Sequence, residues 1–226
     1  MYTLAIGCTG RTAVIDTDIV IVRDITDSMT VTPTAQKVVS QLGLKANPWQ
    51  SVRITTTYIS DLDVNDVQVA TLDAESQWTG NLPMRKAKIQ QFIQQVQQGL
   101  DVSIHTTTRP YSIAFRTIAR QANKLAVSQA THQYLLIYSD LMENSNVANF
   151  YDARTIARLH ATPHDIENQL QAEVSLTQLH GLEMWFIYNP QSFTQNNTYM
   201  KIAGFYQHML TAHGATTHIA TKFQLL

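Results

Sequence analysis

Ile19-Val20-Ile21-Val22-Arg23-Asp24-Ile25-Thr26-Asp27-Ser28-Met29 is an apolar, β-branched run that stops in a cluster of small oxygen-bearing side chains. A short run of this composition reads as a buried strand. The residues after it are too polar for a core. Asp24, Thr26 and Ser28 recur at every second position just past the strand end. An extended or turning backbone with that spacing can aim three oxygens at one point. A hard cation such as Mg²⁺ takes oxygen ligands in near-octahedral geometry. The same residues suit a second role, because Ser28 or Asp27 can cap a helix that begins near Pro33. The local pattern leaves both readings open.

Outward from this stretch, strands and helices alternate. Toward the N-terminus, residues 1–16 read as an arm with a short strand near 2–6, and 17–226 as one domain. The strand itself covers about 18–23. A helix over 34–44 places Ala35, Val38, Val39 and Leu42 on one face. Residues 51–59 are rich in β-branched side chains and form the second strand. Residues 67–72 alternate and hairpin back onto it. Between them Asp61, Asp63, Asn65 and Asp66 resemble a calcium loop. Asp66 stands where the EF-hand needs Gly and Leu72 where it needs Glu, so this is an acidic turn. Residues 73–84 read as a loop holding Trp78 and Pro83. A helix over 86–100 buries Ile89, Phe92, Ile93, Val96 and Leu100 and wets its glutamines.

The polar segment His105-Thr106-Thr107-Thr108-Arg109-Pro110 leads into a helix over 111–128. Tyr134-Leu135-Leu136-Ile137-Tyr138 is an apolar strand that also ends in oxygen-bearing residues, Ser139 and Asp140. Helices near 148–159 and over 164–178, a strand over 183–188, a helix over 198–213 and a strand over 215–220 complete the chain. This order predicts an α/β fold with a doubly wound, mostly parallel, Rossmann-like sheet. One short strand is antiparallel and helices lie on both faces. In such sheets ligands bind beyond the carboxyl ends of the strands. That rule selects the loops after 18–23, before 111–128 and after 134–138.

Bulk composition narrows the function. The chain has 226 residues, 44% hydrophobic and 15% charged, with a formal net charge of -1. There is no basic excess for nucleic acid and no polybasic run for an anionic bilayer. No run of about 18 apolar residues predicts a transmembrane span. Cys8 is the only cysteine, so no intrachain disulfide forms. The first seven residues are too few for a signal peptide, which favours a cytoplasmic location, or an extracytoplasmic one if the N-terminus is trimmed.

With three oxygen-rich loops in this order, the sequence resembles the von Willebrand factor A-like (integrin I-domain-like) family over about 17–220. The match is Asp24-Ile25-Thr26-Asp27-Ser28 for the family's Asp-x-Ser/Thr-x-Ser loop, a threonine in the second loop, and Asp140 in the third. The resemblance implies a metal-ion-dependent adhesion site holding Mg²⁺, or Mn²⁺ or Ca²⁺. Asp24, Thr26 and Ser28 would contact the ion directly or through water. Thr107 or Thr108 would ligate from the second loop, and Asp140 directly or one shell out. Two carboxylates balance one divalent charge, and an open position accepts a carboxylate from a protein partner. The second loop departs from the family in lacking a glycine beside its threonines, and Arg109 adds positive charge there.

Two other readings stand beside this one. The fold could serve as a scaffold subunit whose metal site is structural or vestigial. A metal-assisted phosphoester hydrolase would call for more converging carboxylates than Asp24, Asp140, Asp27 and Glu143 offer. His160 and His164 are separated by Pro163, and His208 and His213 do not share a helix face, so zinc is not predicted. No Gly-rich phosphate loop and no Gly-x-Ser-x-Gly elbow appear. Trp49, Trp78 and Trp185 read as core or loop anchors.

Overall fold

A computed structural model describes residues 15–26, 31–60, 67–101 and 111–225. The predicted strand near 2–6 and the acidic turn at 61–66 lie outside these residues. Six strands form one sheet: β1 (Thr17–Asp24), β2 (Val52–Ile59), β3 (Gln68–Leu72), β4 (His132–Tyr138), β5 (Leu182–Ile187) and β6 (Thr216–Ala220). Their spatial order is β3-β2-β1-β4-β5-β6, with every pair parallel except β2–β3. The chain winds outward from β1 through β2 to β3, then crosses to β4 and winds the other way. The order therefore reverses between β1 and β4, and such reversals open a crevice at the carboxyl edge.

Alternate residues of each central strand feed two separate cores. Val20, Val22, Leu135, Ile137, Met184 and Phe186 pack on one face, beneath α3 (Ala114–Ala126), α5 (Pro163–Glu173) and α6 (Phe193–Ala212). Ile19, Ile21, Ile54, Leu136 and Ile187 pack on the other, beneath α1 (Ala35–Ser40) and α2 (Leu82–Leu100). This double burial is why the strands read as continuous apolar runs. The short helix α4 (Ala153–Ala161) abuts α5, and Pro163 opens α5 immediately after it. His160 and His164 thus sit on different helices. No helix among the described residues is long and apolar enough to cross a membrane.

All six helices among the described residues differ in extent from the periodicity-based expectation. Helix α3 covers Ala114–Ala126 rather than 111–128, α4 Ala153–Ala161 rather than 148–159 and α5 Pro163–Glu173 rather than 164–178, and α1, α2 and α6 differ for local reasons. Helix α1 stops at Ser40 because Gln41 and Leu42 donate to the carbonyls three residues back, which tightens the chain into turns. Gly43 then takes φ +67°, a conformation that side-chain-bearing residues resist. Helix α2 begins four residues early. The Asn81 side chain accepts from Met84 N (3.1 Å), and Pro83 fits the first turn, where a missing N–H costs nothing. Helix α6 begins five residues early, capped by Ser192 accepting from Gln195 N (3.2 Å). Trp185 is a core residue, stacked on His218 at 4.2 Å. Trp78 is 88% exposed and anchors nothing.

The start of α2 is held by a buried cation. Arg85 is 1% exposed and donates to the carbonyls of Pro48 (2.5 Å), Asp73 (2.7 Å) and Gln50 (2.7 Å). Glu75 lies 3.4 Å from the same guanidinium. Five rigid N–H donors in a planar fork match this set of carbonyls as no other side chain does. Replacing Arg85 by Met keeps the apolar stem and strands three carbonyls. The expected loss is about 3 kcal/mol or more in urea unfolding. A loss below about 1 kcal/mol would mean that water replaces the guanidinium without cost.

Candidate metal-binding edge

Asp24 is the last residue of β1 and is 1% exposed. Its Oδ1 accepts from the backbone N–H of Thr26 (2.8 Å) and from Thr26 Oγ1 (2.6 Å). Its Oδ2 accepts from Ser139 Oγ (2.7 Å), a residue 115 positions away. Ser139 reaches it because β1 and β4 pair with Arg23 opposite Tyr138, so the next residues, Asp24 and Ser139, emerge side by side at the crevice. The loops after β1 and β4 are thereby joined. Sequence reasoning placed Ser139 among the oxygen-bearing residues after the strand but not among the site residues. Only the register identifies its partner.

The loop after β4 is tightly wound. Ser139 Oγ accepts from Leu141 N (2.8 Å), and Asp140 Oδ1 accepts from Met142 N (2.9 Å). These two side-chain turns hold Leu141 at φ +62°, which costs a branched residue about 1–3 kcal/mol. Complete burial of the Leu141 side chain offsets that strain. Asp140 is half-buried and lines a cleft of about 240 Å³ with Met142, Tyr151, Tyr188 and Tyr199. The rings of Tyr188 and Tyr199 lie 5.0 Å apart. Burial, reinforced by the negative charge of Asp140, raises the pKa of the Tyr199 hydroxyl well above that of an ordinary phenol.

Ser28, Thr107, Thr108 and Arg109 lie outside the described residues. The flanks of the segment holding the threonines are defined. Arg23 is buried and donates to the Leu100 carbonyl (2.9 Å) at the end of α2. Tyr58 OH donates to the adjacent Gly99 carbonyl. At the far flank, Ser112 and Asn144 exchange backbone hydrogen bonds (3.0 and 2.9 Å), and Ile113 N donates to Ser60 O (3.3 Å). The segment 101–113 is therefore bounded by the carboxyl edge at both ends.

Glu143 completes this arrangement. Helix α3 has no side-chain cap of its own. Glu143, 1% exposed, accepts from Phe115 N (2.8 Å) in the first turn of α3 and caps it from another loop. Burial pushes the Glu143 carboxyl up from 4.5 to about 7, against the opposing pull of the Phe115 N–H, Ser145, the Ala114 N–H and the charge of Arg116. The neighbouring Tyr206 hydroxyl is fully buried with no hydrogen-bond partner among the described residues, and burial together with Glu143 holds its pKa far above the ordinary value.

The donors that meet at this edge suit a hard cation. Thr26 and Ser139 each give their hydroxyl proton to Asp24, which leaves oxygen lone pairs to coordinate. Carboxylate and hydroxyl oxygens are the ligand class that Mg²⁺ selects. Among the described residues no three His, Cys, Asp or Glu side chains converge. No family model matches the chain, and no curated protein matches it.

Glu143 has a measurable signature. Between about pH 4.5 and 7 the folded carboxyl keeps a proton that the unfolded chain has lost, so stability falls as pH rises through that window. The Glu143→Gln variant cannot ionise. It should match the wild type near pH 5 and exceed it near pH 8, by up to about 3 kcal/mol. Thermal unfolding at the two pH values checks this. A difference that does not change with pH would remove the buried proton from the account.

Proposed function

We propose that the chain is a Mg²⁺-dependent protein-binding module of the von Willebrand factor A type. In this reading it engages an acidic residue of a partner protein. The observation that carries the reading is the 2.7 Å hydrogen bond from Ser139 to the buried Asp24 at the strand-order reversal. It brings together the first and third of the three oxygen-rich loops that motivate the proposal. Asp24, Thr26 and Ser28 would hold the ion from the first loop, Thr107 or Thr108 from the second, and Asp140 from the third. The bound ion would supply an electrophilic centre with an open position for a carboxylate oxygen. The residues of the chain supply direction. Asp24 accepts from Thr26 N, Thr26 Oγ1 and Ser139 Oγ, and the turns at Ser139 and Asp140 hold the third loop. A partner lacking the carboxylate would leave the ion to water, which is the basis of discrimination.

One observation favours a second reading, a scaffold with a structural or vestigial site. The bonds from Thr26 and Ser139 already satisfy Asp24 as a loop staple, with no ion needed for that role.

Thermal shift with Mg²⁺ or Mn²⁺ separates the two. The binding reading expects a rise in stability of about 2.7 kcal/mol at a metal concentration one hundred times the dissociation constant. Asp24→Asn and Asp140→Ala should abolish that rise. A scaffold with a vestigial site expects no metal response, while Asp24→Asn still lowers stability by about 1–3 kcal/mol. A full metal response in both variants would defeat the proposed ligand set.

A further inference from the structure

The α1–α2 face of the molecule has a separate character. Between these two antiparallel helices runs a groove of about 400 Å³. Its apolar lining is Val39, Leu44, Pro48, Leu82, Ile89 and Ile93, and Leu82 remains 43% exposed. Lys45 and Lys86 stand on its rim with Gln36 and Gln90.

The charge around the groove has one sign. Residues 35–50 and 82–100 contain Lys37, Lys45, Arg85, Lys86 and Lys88, and no Asp or Glu, in a chain whose net charge is -1. Arg85 is occupied by backbone carbonyls, and Lys88 pairs with Glu75 at 2.7 Å. Lys37, Lys45 and Lys86 make no ion pair among the described residues. Uncompensated lysines beside an apolar trough attract a ligand that is apolar on one side and anionic on its edges.

We propose that this groove docks an amphipathic helix of a partner protein. The helix would seat an apolar stripe between α1 and α2 and present acidic side chains to Lys45 and Lys86. Two packed helices leave a surface trough into which side chains of a third helix interdigitate, and recognition by apolar anchors at i, i+3, i+4 and i+7 exploits that shape. The rim glutamines favour a peptide over a bilayer. Their amides find hydrogen-bond partners on a polar helix edge and none among acyl chains. The concavity points the same way, because membrane-bound surfaces present their apolar residues outward. This surface uses none of the residues proposed for metal, so the two readings stand or fall separately.

The test uses a fluorescent synthetic helix of about 18 residues with leucines on one stripe and glutamates beside them. Its binding to the full chain is followed by anisotropy in EDTA, where the metal-dependent reading predicts nothing. Saturable, salt-sensitive binding is expected, weakened at least about tenfold in the K45E/K86E double variant. Both lysines are exposed, so the variant should keep its fold. A twin peptide with lysines in place of glutamates should prefer the variant. Equal binding of the acidic peptide to wild type and variant would overturn the proposal, as would no binding to either. Sedimentation of the wild type with phosphatidylglycerol vesicles, uncompeted by the peptide, would overturn it in favour of a membrane. Self-association lost in the variant, again uncompeted, would overturn it in favour of a second copy of the chain.

Discussion

A carboxylate buried at the end of a parallel strand must receive hydrogen bonds from whatever surrounds it, because unpaired charge in a dry environment is costly. Asp24 meets that requirement with Thr26 from its own loop and Ser139 from the neighbouring strand. The second partner ties the requirement to the sheet. With β1 and β4 in their observed register, a hydroxyl faces the carboxylate. A slip of one residue would bring Tyr138 or Asp140 to that place, a ring or a second negative charge. Satisfying Asp24 and setting the register of the central strand pair are therefore one condition.

Around this point the fold places hydrogen-bonding groups according to the direction of its helices. Arg23 donates to the last turn of α2, where carbonyls gather negative potential. Glu143 accepts from the first turn of α3, where N–H groups gather positive potential. Neither helix supplies these groups from its own sequence. Both contacts come from the edges of β1 and β4, so the segment joining α2 to α3 is tied to the same crevice at either end. The described parts of the loops after β1 and β4 share this edge. They are separate from the α1–α2 groove, whose lining comes from helix faces and from the turns after α1.

Much of this was readable along the chain. The runs at Ile19–Val22 and Tyr134–Tyr138 are apolar at every position, which only strands covered on both faces require. Asp24 ends β1, Thr26 and Asp140 stand just past strand ends, and in doubly wound sheets such ends are where ligands bind. Helix starts were less legible. Pro83 reads as a breaker until Asn81 is seen to cap the turn that contains it. The exposure of Trp78 has no sequence signal, because an aromatic residue in a loop is as compatible with an anchor as with a free ring.

The sequence by itself determined the alternation of strands and helices, the two buried faces of the sheet and the oxygen-rich character of its loops. These follow from side-chain period and composition, which are local properties. The tertiary structure alone decided that Ser139 is the partner of Asp24, that Glu143 caps α3 and that Arg23 closes α2. Each of these bonds joins residues distant in the chain, and for Ser139 and Asp24 a shift of one position in strand register would exchange the partner. The lysines around the α1–α2 groove divide in the same way. Their one-sided charge is written in the sequence, and the trough between them exists only where two helices pack.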